Sequence, residues 1–88
     1  MLGQMDSALI YLEKAVSLQP DNCGANRDLG VAYAIQGMFE KSLPFFEQAV
    51  RLDPENPDHY INLGMTYRNL GQQEKAGRMF EKAEALKK

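Results

Sequence analysis

Few residues in this 88-residue chain are of a type that does chemistry. It holds one histidine, His59, and one cysteine, Cys23. A structural zinc site draws four ligands from clustered Cys and His, so this supply offers no zinc constellation of the usual spacing. His59 stands near a helix start and is expected at the surface, as a capping or solvated side chain. Cys23 follows the turn Pro20-Asp21-Asn22. It lies near a helix N-terminus, where a thiol pKa can fall. No histidine neighbours it in sequence, so no nucleophilic pair is expected, and a lone cysteine forms no internal disulfide. Glu13, Glu47 and Glu81 recur at one constant interval. Carboxylates that keep step in this way are expected on a solvated helix face, not as acid–base partners. The runs beginning Leu29-Gly30 and Leu63-Gly64 lack the glycine spacing and lysine of a phosphate loop. No catalytic residue, metal or cofactor is expected, and the chain does not read as an enzyme.

The interval of the glutamates organises the whole chain. Leu29, Gly30, Tyr33, Gly37, Phe46, Ala49 and Leu52 return one such interval later as Leu63, Gly64, Tyr67, Gly71, Phe80, Ala83 and Leu86. Gly3, Ala8, Leu12, Ala15, Leu18 and Pro20 stand one interval before Gly37, Ser42, Phe46, Ala49, Leu52 and Pro54. A fixed period of this length marks stacked repeats, in which each unit buries its apolar face against the next.

The net charge of -2, with no cluster of Lys or Arg, argues against nucleic acid as a partner. No segment approaches the roughly 18–20 apolar residues of a membrane span. No basic, then apolar, leader opens the chain. A cytoplasmic protein with no membrane partner is the expectation.

Five helices are predicted, with no strand, over about 1–19, 23–36, 38–52, 58–70 and 73–86. Pro20 stops the first, and Asp21 or Asn22 caps the second. Gly37 and Gly71 close the second and fourth. Leu29, Val31 or Ala32, Tyr33 and Ile35 form the inward face of the second helix. Pro44 falls inside the third and is expected on its solvent side, in a continuous but bent helix with the orphaned Glu40 carbonyl hydrated. Gly30 and Gly64 sit mid-helix, where glycine costs about 1 kcal/mol against alanine. Their recurrence points to another helix approaching too closely for a side chain.

These residues resemble the tetratricopeptide repeat family, whose 34-residue helical hairpin carries Leu-Gly-x-x-Tyr in its first helix and Ala, an aromatic, Ala and Pro in its second. Leu29, Gly30, Tyr33, Ser42, Phe46, Ala49 and Pro54 carry the likeness in one repeat. Tyr60, Leu63, Gly64, Tyr67, Ala76, Phe80 and Ala83 carry it in the next, and Ala8, Leu12, Ala15 and Pro20 carry half of it at the start. The resemblance implies an all-α, right-handed α-solenoid of antiparallel helix pairs. It divides the chain into a half repeat, 1–22, and two full repeats, 23–56 and 57–88, in one domain. Asn26 replaces a large apolar residue of the family, so the start of its helix is expected to pack loosely. Gln73, Gly77 and Glu84 replace Phe39, Leu43 and Val50 of the preceding copy, as suits a terminal cap. Met1 is expected to mark a truncation within a longer array.

The resemblance also implies a concave groove lined by the first helix of each repeat. Arg27, Val31 and Ala34 share one face there, with Ile35 at its edge; Ile61, Met65 and Arg68 supply the other, flanked by Asp58, Asn62 and Asn69. Asn62 occupies a place where family members often hold a peptide backbone, while Asp28 breaks any asparagine ladder. The expected function is a protein–protein interaction scaffold binding a protein or peptide partner. Two other readings are a structural end piece that self-assembles and a regulatory array of a larger enzyme. The first helix has no partner from its own repeat. Met5, Ala8, Leu12 and Ala15 are therefore expected to form a homo-oligomer contact.

Overall fold

Each of the two inter-repeat turns ends in an asparagine that starts the next helix. Asn22 Oδ1 accepts from the Ala25 amide at 3.0 Å, and Asn56 Oδ1 from the Asp58 amide at 3.0 Å. These caps satisfy amides that have no partner within their own helix. The computed structural model describes residues 2–88, with side chains from Ser7 onward. It contains α1 (Leu2–Leu18), α2 (Cys23–Ile35), α3 (Phe39–Leu52), α4 (Pro57–Asn69) and α5 (Gln73–Lys87), with no strand among the described residues. The tightest pairs are α2 with α3 and α4 with α5; α1 packs on α2, and α3 on α4. The array measures 38 × 26 × 16 Å and is an all-α solenoid of helical hairpins. No helix of the described residues is long and apolar enough to cross a membrane.

The hairpins close in the same way twice. Gly37 and Gly71 take φ of 76° and 81°, which a side chain resists. In the first, Met38 and Gly37 amides donate to the Tyr33 and Ala34 carbonyls at 2.9 Å each. In the second, Gln72 and Gly71 donate to Tyr67 and Arg68 at 2.9 and 3.0 Å. This double bond to the last turn satisfies free carbonyls and fixes the hairpin angle.

The core is the recurring set: Leu29, Ala32, Tyr33, Phe46 and Ala49, then Tyr60, Leu63, Ala76 and Ala83. Ala32, not Val31, faces inward. Ile35 departs from the expected inward face and stands 67% exposed. It follows Tyr33 by two positions, about 200° around a helix of 3.6 residues per turn. A methyl group built on Gly30 would lie 2.8 Å from Phe46 Cε1, and one on Gly64 would lie 2.6 Å from Phe80 Cε1. The aromatic of each second helix is thus the close approach that the mid-helix glycines imply. Pro44 lies within a continuous α3 and is exposed, as its place on the helix requires.

Two expectations change. Asn26 does not loosen its helix: it is buried, and its Nδ2 donates to the Pro20 and Asn22 carbonyls at 3.0 and 2.9 Å. One repeat on, the Tyr60 hydroxyl donates to the Pro54 carbonyl at 2.9 Å. Two unlike side chains thus bond the equivalent turn carbonyl, which a purely apolar residue could not do. The periodic glutamates are more than a solvated face. Glu13 Oε2 accepts from the Tyr33 hydroxyl at 2.6 Å, and Glu47 Oε2 from Tyr67 at 3.3 Å. Each bond ties the second helix of one hairpin to the first helix of the next. The bond to Glu13, with burial and the carboxylate's charge, pushes the Tyr33 phenol up to about 12. Burial, then the charge and bond of Glu47, raise Tyr67 as well.

Candidate functional site

The first helices of the two hairpins, α2 and α4, both pack on α3. Between them lies an open groove of about 350 Å³, walled by Val31, Ala34 and Ile35 of α2 and by Asn62, Met65, Thr66 and Asn69 of α4. Phe39 and Phe46 of α3 complete its lining. Val31, Ile35 and Met65 are large apolar side chains left 36, 67 and 44% exposed. Thr66 is turned back on its own helix, its hydroxyl donating to the Asn62 carbonyl at 2.8 Å. Asn69 Nδ2 donates to the Met65 carbonyl at 2.7 Å, which leaves its Oδ1 free to accept. The Asn62 amide has no hydrogen-bond partner among the described residues. The groove thus offers apolar contact along its walls and amide groups beside it.

Of the residues singled out in sequence for this groove, Val31, Ala34, Asn62 and Met65 line it, as do Ile35 and Asn69, which were set at its edges. Arg27, Asp58, Ile61 and Arg68 do not. Arg27 and Ile61 lie one helical turn before Val31 and Met65; Arg27 is paired with Asp28 at 3.1 Å. Asp58 sits exposed at the start of α4. The Arg68 guanidinium lies 5.9 Å from the centre of the Phe80 ring, a cation–π arrangement. Phe39, Phe46 and Thr66 were not foreseen, because the groove's lining is shared between helices and no single helix pattern marks it. The offset of Ile35 from Tyr33 is a signal that could have placed this residue outside the core, although the sequence reading set it on the inward face.

A second depression of about 360 Å³ continues from this groove, sharing Val31 and Ile35, and is lined by Ala8 and Leu12 of α1 with Asp28 and Ala32. On the other side of α1, Tyr11, Lys14, Ala15, Leu18 and Gln19 line a hollow of about 420 Å³. Tyr11 and Leu18 are 75 and 72% exposed, and Ile10 is exposed too. Ala8 is exposed, Leu12 and Ala15 are half-buried, and the Met5 side chain lies outside the described residues. Among the described side chains of α1, the large apolar groups left open are therefore Ile10, Tyr11 and Leu18, beside the expected Ala8, Leu12 and Ala15.

The histidine corrects the sequence reading most. His59 is 2% exposed, not a surface side chain. Asn56 and Pro57 start α4 so early that His59 falls in its first turn and is directed into the junction with α2 and α3. Its Nε2 lies 3.3 Å from Cys23 Sγ and 3.5 Å from Asp53 Oδ2, while Nδ1 is buried with no partner. The thiol also lies 3.5 Å from the Ala49 carbonyl. This is no nucleophilic dyad. Both neighbours meet the same ring nitrogen, and nothing orients the ring from the other. Burial and then the Asp53 charge push the Cys23 thiol up, outweighing Arg27, so it is held protonated.

Family models described as tetratricopeptide repeat match residues 2–22, 24–56 and 45–78. Among solved structures, YrrB, described as a TPR protein with an unusual peptide-binding site, is 34% identical with a TM-score of 0.87, covering 97% of this chain and 44% of that one. MamA from MSR-1 is 28% identical with a TM-score of 0.89, covering 98% of this chain and 49% of its own. MamA from AMB-1 gives 28% and 0.89, with coverage of 98 and 51%. The chain spans about half the length of these structures. A search of curated proteins gives no match.

Proposed function

The chain belongs to the tetratricopeptide repeat family, and from that premise we propose that it is a protein-interaction module whose α2–α4 groove seats a segment of a partner protein. The observation that carries this reading is the row of exposed Val31, Ile35 and Met65 beside the amides of Asn62 and Asn69. Apolar walls supply affinity, and side-chain amides fix the register of an extended or helical segment through its backbone groups. The likeness to YrrB, described as having a peptide-binding site, supports it. In this reading 23–56 and 57–88 are the two working repeats and 1–22 is a half repeat. No catalytic step is assigned to the chain.

The test is a Val31→Glu, Met65→Glu double variant. Both side chains are partly solvated, so the fold should survive with small cost. Two buried carboxylates should weaken a bound peptide at least tenfold, or about 1.4 kcal/mol. A double variant that captures the wild-type partners with unchanged affinity overturns the proposal.

The open face of α1 carries a second reading, association of two copies of the chain. Helix α3 packs against both α2 and α4, whereas α1 packs chiefly against α2 among the described residues and leaves Tyr11 and Leu18 bare. An apolar stripe of this kind is self-complementary about a two-fold axis. Sedimentation at high micromolar concentration should show a dimer, and Tyr11→Glu with Leu18→Glu should return it to monomer with helicity unchanged. A wild-type monomer at that concentration excludes the contact.

A further inference from the structure

We infer that Cys23, Asp53 and His59 form a three-ligand site for a borderline-soft divalent cation, of which zinc is the type. Three separate elements deliver one ligand each: the start of α2, the residue ending α3 and the first turn of α4. Their ligand atoms all lie within 4.8 Å of one another. A zinc ion bound at about 2.3 Å to sulfur and about 2.0–2.2 Å to nitrogen and oxygen sets its ligands about 3.3–3.6 Å apart at tetrahedral angles. The observed Sγ–Nε2 and Nε2–Oδ2 separations are 3.3 and 3.5 Å. The second is too long for a strong charge-assisted hydrogen bond, which closes to about 2.7–2.9 Å. Imidazole and carboxylate therefore stand off as coordinating neighbours do.

The repeat itself does not demand this trio. One period earlier, His59 and Asp53 correspond to Ala25 and Gln19, and one period later Cys23 corresponds to Pro57. The turn at the first junction is built with neither the histidine nor the aspartate. His59 nevertheless stands at a buried position with one ring nitrogen unpartnered, which costs stability. Asp53 is half-solvated, so an ion has an entry path and water can take the fourth position. Thiolate and carboxylate together neutralise a divalent charge, and the thiol proton leaves to solvent as the metal–sulfur bond forms. The bound ion would pin the second repeat to the first at the turn between them. His59 Nδ1 has no outer partner, a lack that typically costs 10–100-fold in affinity. With three ligands, binding weaker than at a four-ligand structural site is expected.

The experiment is titration of the reduced chain with Co²⁺, followed by competition with Zn²⁺. One equivalent should produce a thiolate-to-cobalt charge-transfer band with the intense visible bands of tetrahedral cobalt, and Zn²⁺ should bleach both and raise the thermal midpoint. Cys23→Ser should abolish the charge-transfer band. Asp53→Asn, at an open position that the fold does not need, should weaken binding at least tenfold. A weak octahedral cobalt spectrum with no sulfur band overturns the site. So does wild-type affinity in both variants.

Discussion

Phe46→Ala is expected to remove a large part of the chain's stability. The ring is 2% exposed and lies against Gly30. Truncating such a phenylalanine costs about 3–5 kcal/mol, the transfer of the ring plus the cavity it leaves. At about 0.05–0.15 kcal/mol per residue, a chain of this length holds about 4–13 kcal/mol in all. The position matters as much as the area. Helix α3 packs on α2 within its hairpin and on α4 across the junction, so the loss falls on both contacts. In a linear array, stability is a sum of units and their nearest-neighbour interfaces, and damage to the central unit leaves the ends uncoupled. Phe80→Ala, the same change in the last hairpin, should cost less, because Phe80 is half-buried and has no helix beyond it among the described residues. Urea unfolding followed by circular dichroism checks the order. A Phe46→Ala stability within about 1 kcal/mol of wild type would show that the ring is not the central contact.

Gly30→Ala is expected to destabilise by about 1–2 kcal/mol, although alanine favours helix over glycine by about 1 kcal/mol. The added methyl would lie 2.8, 2.9 and 3.1 Å from three atoms of the Phe46 ring. That ring is enclosed and cannot swing away, so the overpacking term wins. At Gly64 the approach to Phe80 is closer still, 2.6 Å, yet Phe80 can yield toward solvent. The less crowded site should therefore show the larger penalty. The sign depends on the ring, which a double-mutant cycle tests. In a Phe46→Leu background, Gly30→Ala should become neutral or stabilising, because the intrinsic helix preference is then unopposed. A penalty that persists without the ring would place the cause in the backbone.

The proposed groove shows how a repeat can be legible and its site only partly so. Val31, Ala34 and Met65 were found from one-helix spacing, because residues three and four apart share a face, and Asn62 from its place in the family resemblance. Phe39 and Phe46 were missed as lining, since they belong to another helix and reach the groove only once α3 packs on its neighbours. Ile61 and the two arginines were drawn in by the same face rule, which places a residue around a helix but does not say how far along it a concavity extends.

Recurrence at a constant interval carries the five helices, their caps at Asn22 and Asn56, the closing glycines and the aromatic-over-glycine contact. All of these are local or periodic, so identical spacing forces identical packing. What recurrence could not contain are the features that break it. Asn26 bonding the Pro20 carbonyl in place of a tyrosine, and buried His59 meeting Cys23 and Asp53, each occur once. Cys23 and His59 are 36 residues apart and belong to different hairpins. Their meeting depends on the angle at which one hairpin is laid on the next, a quantity set by the summed packing of whole helices and encoded in no single stretch of chain.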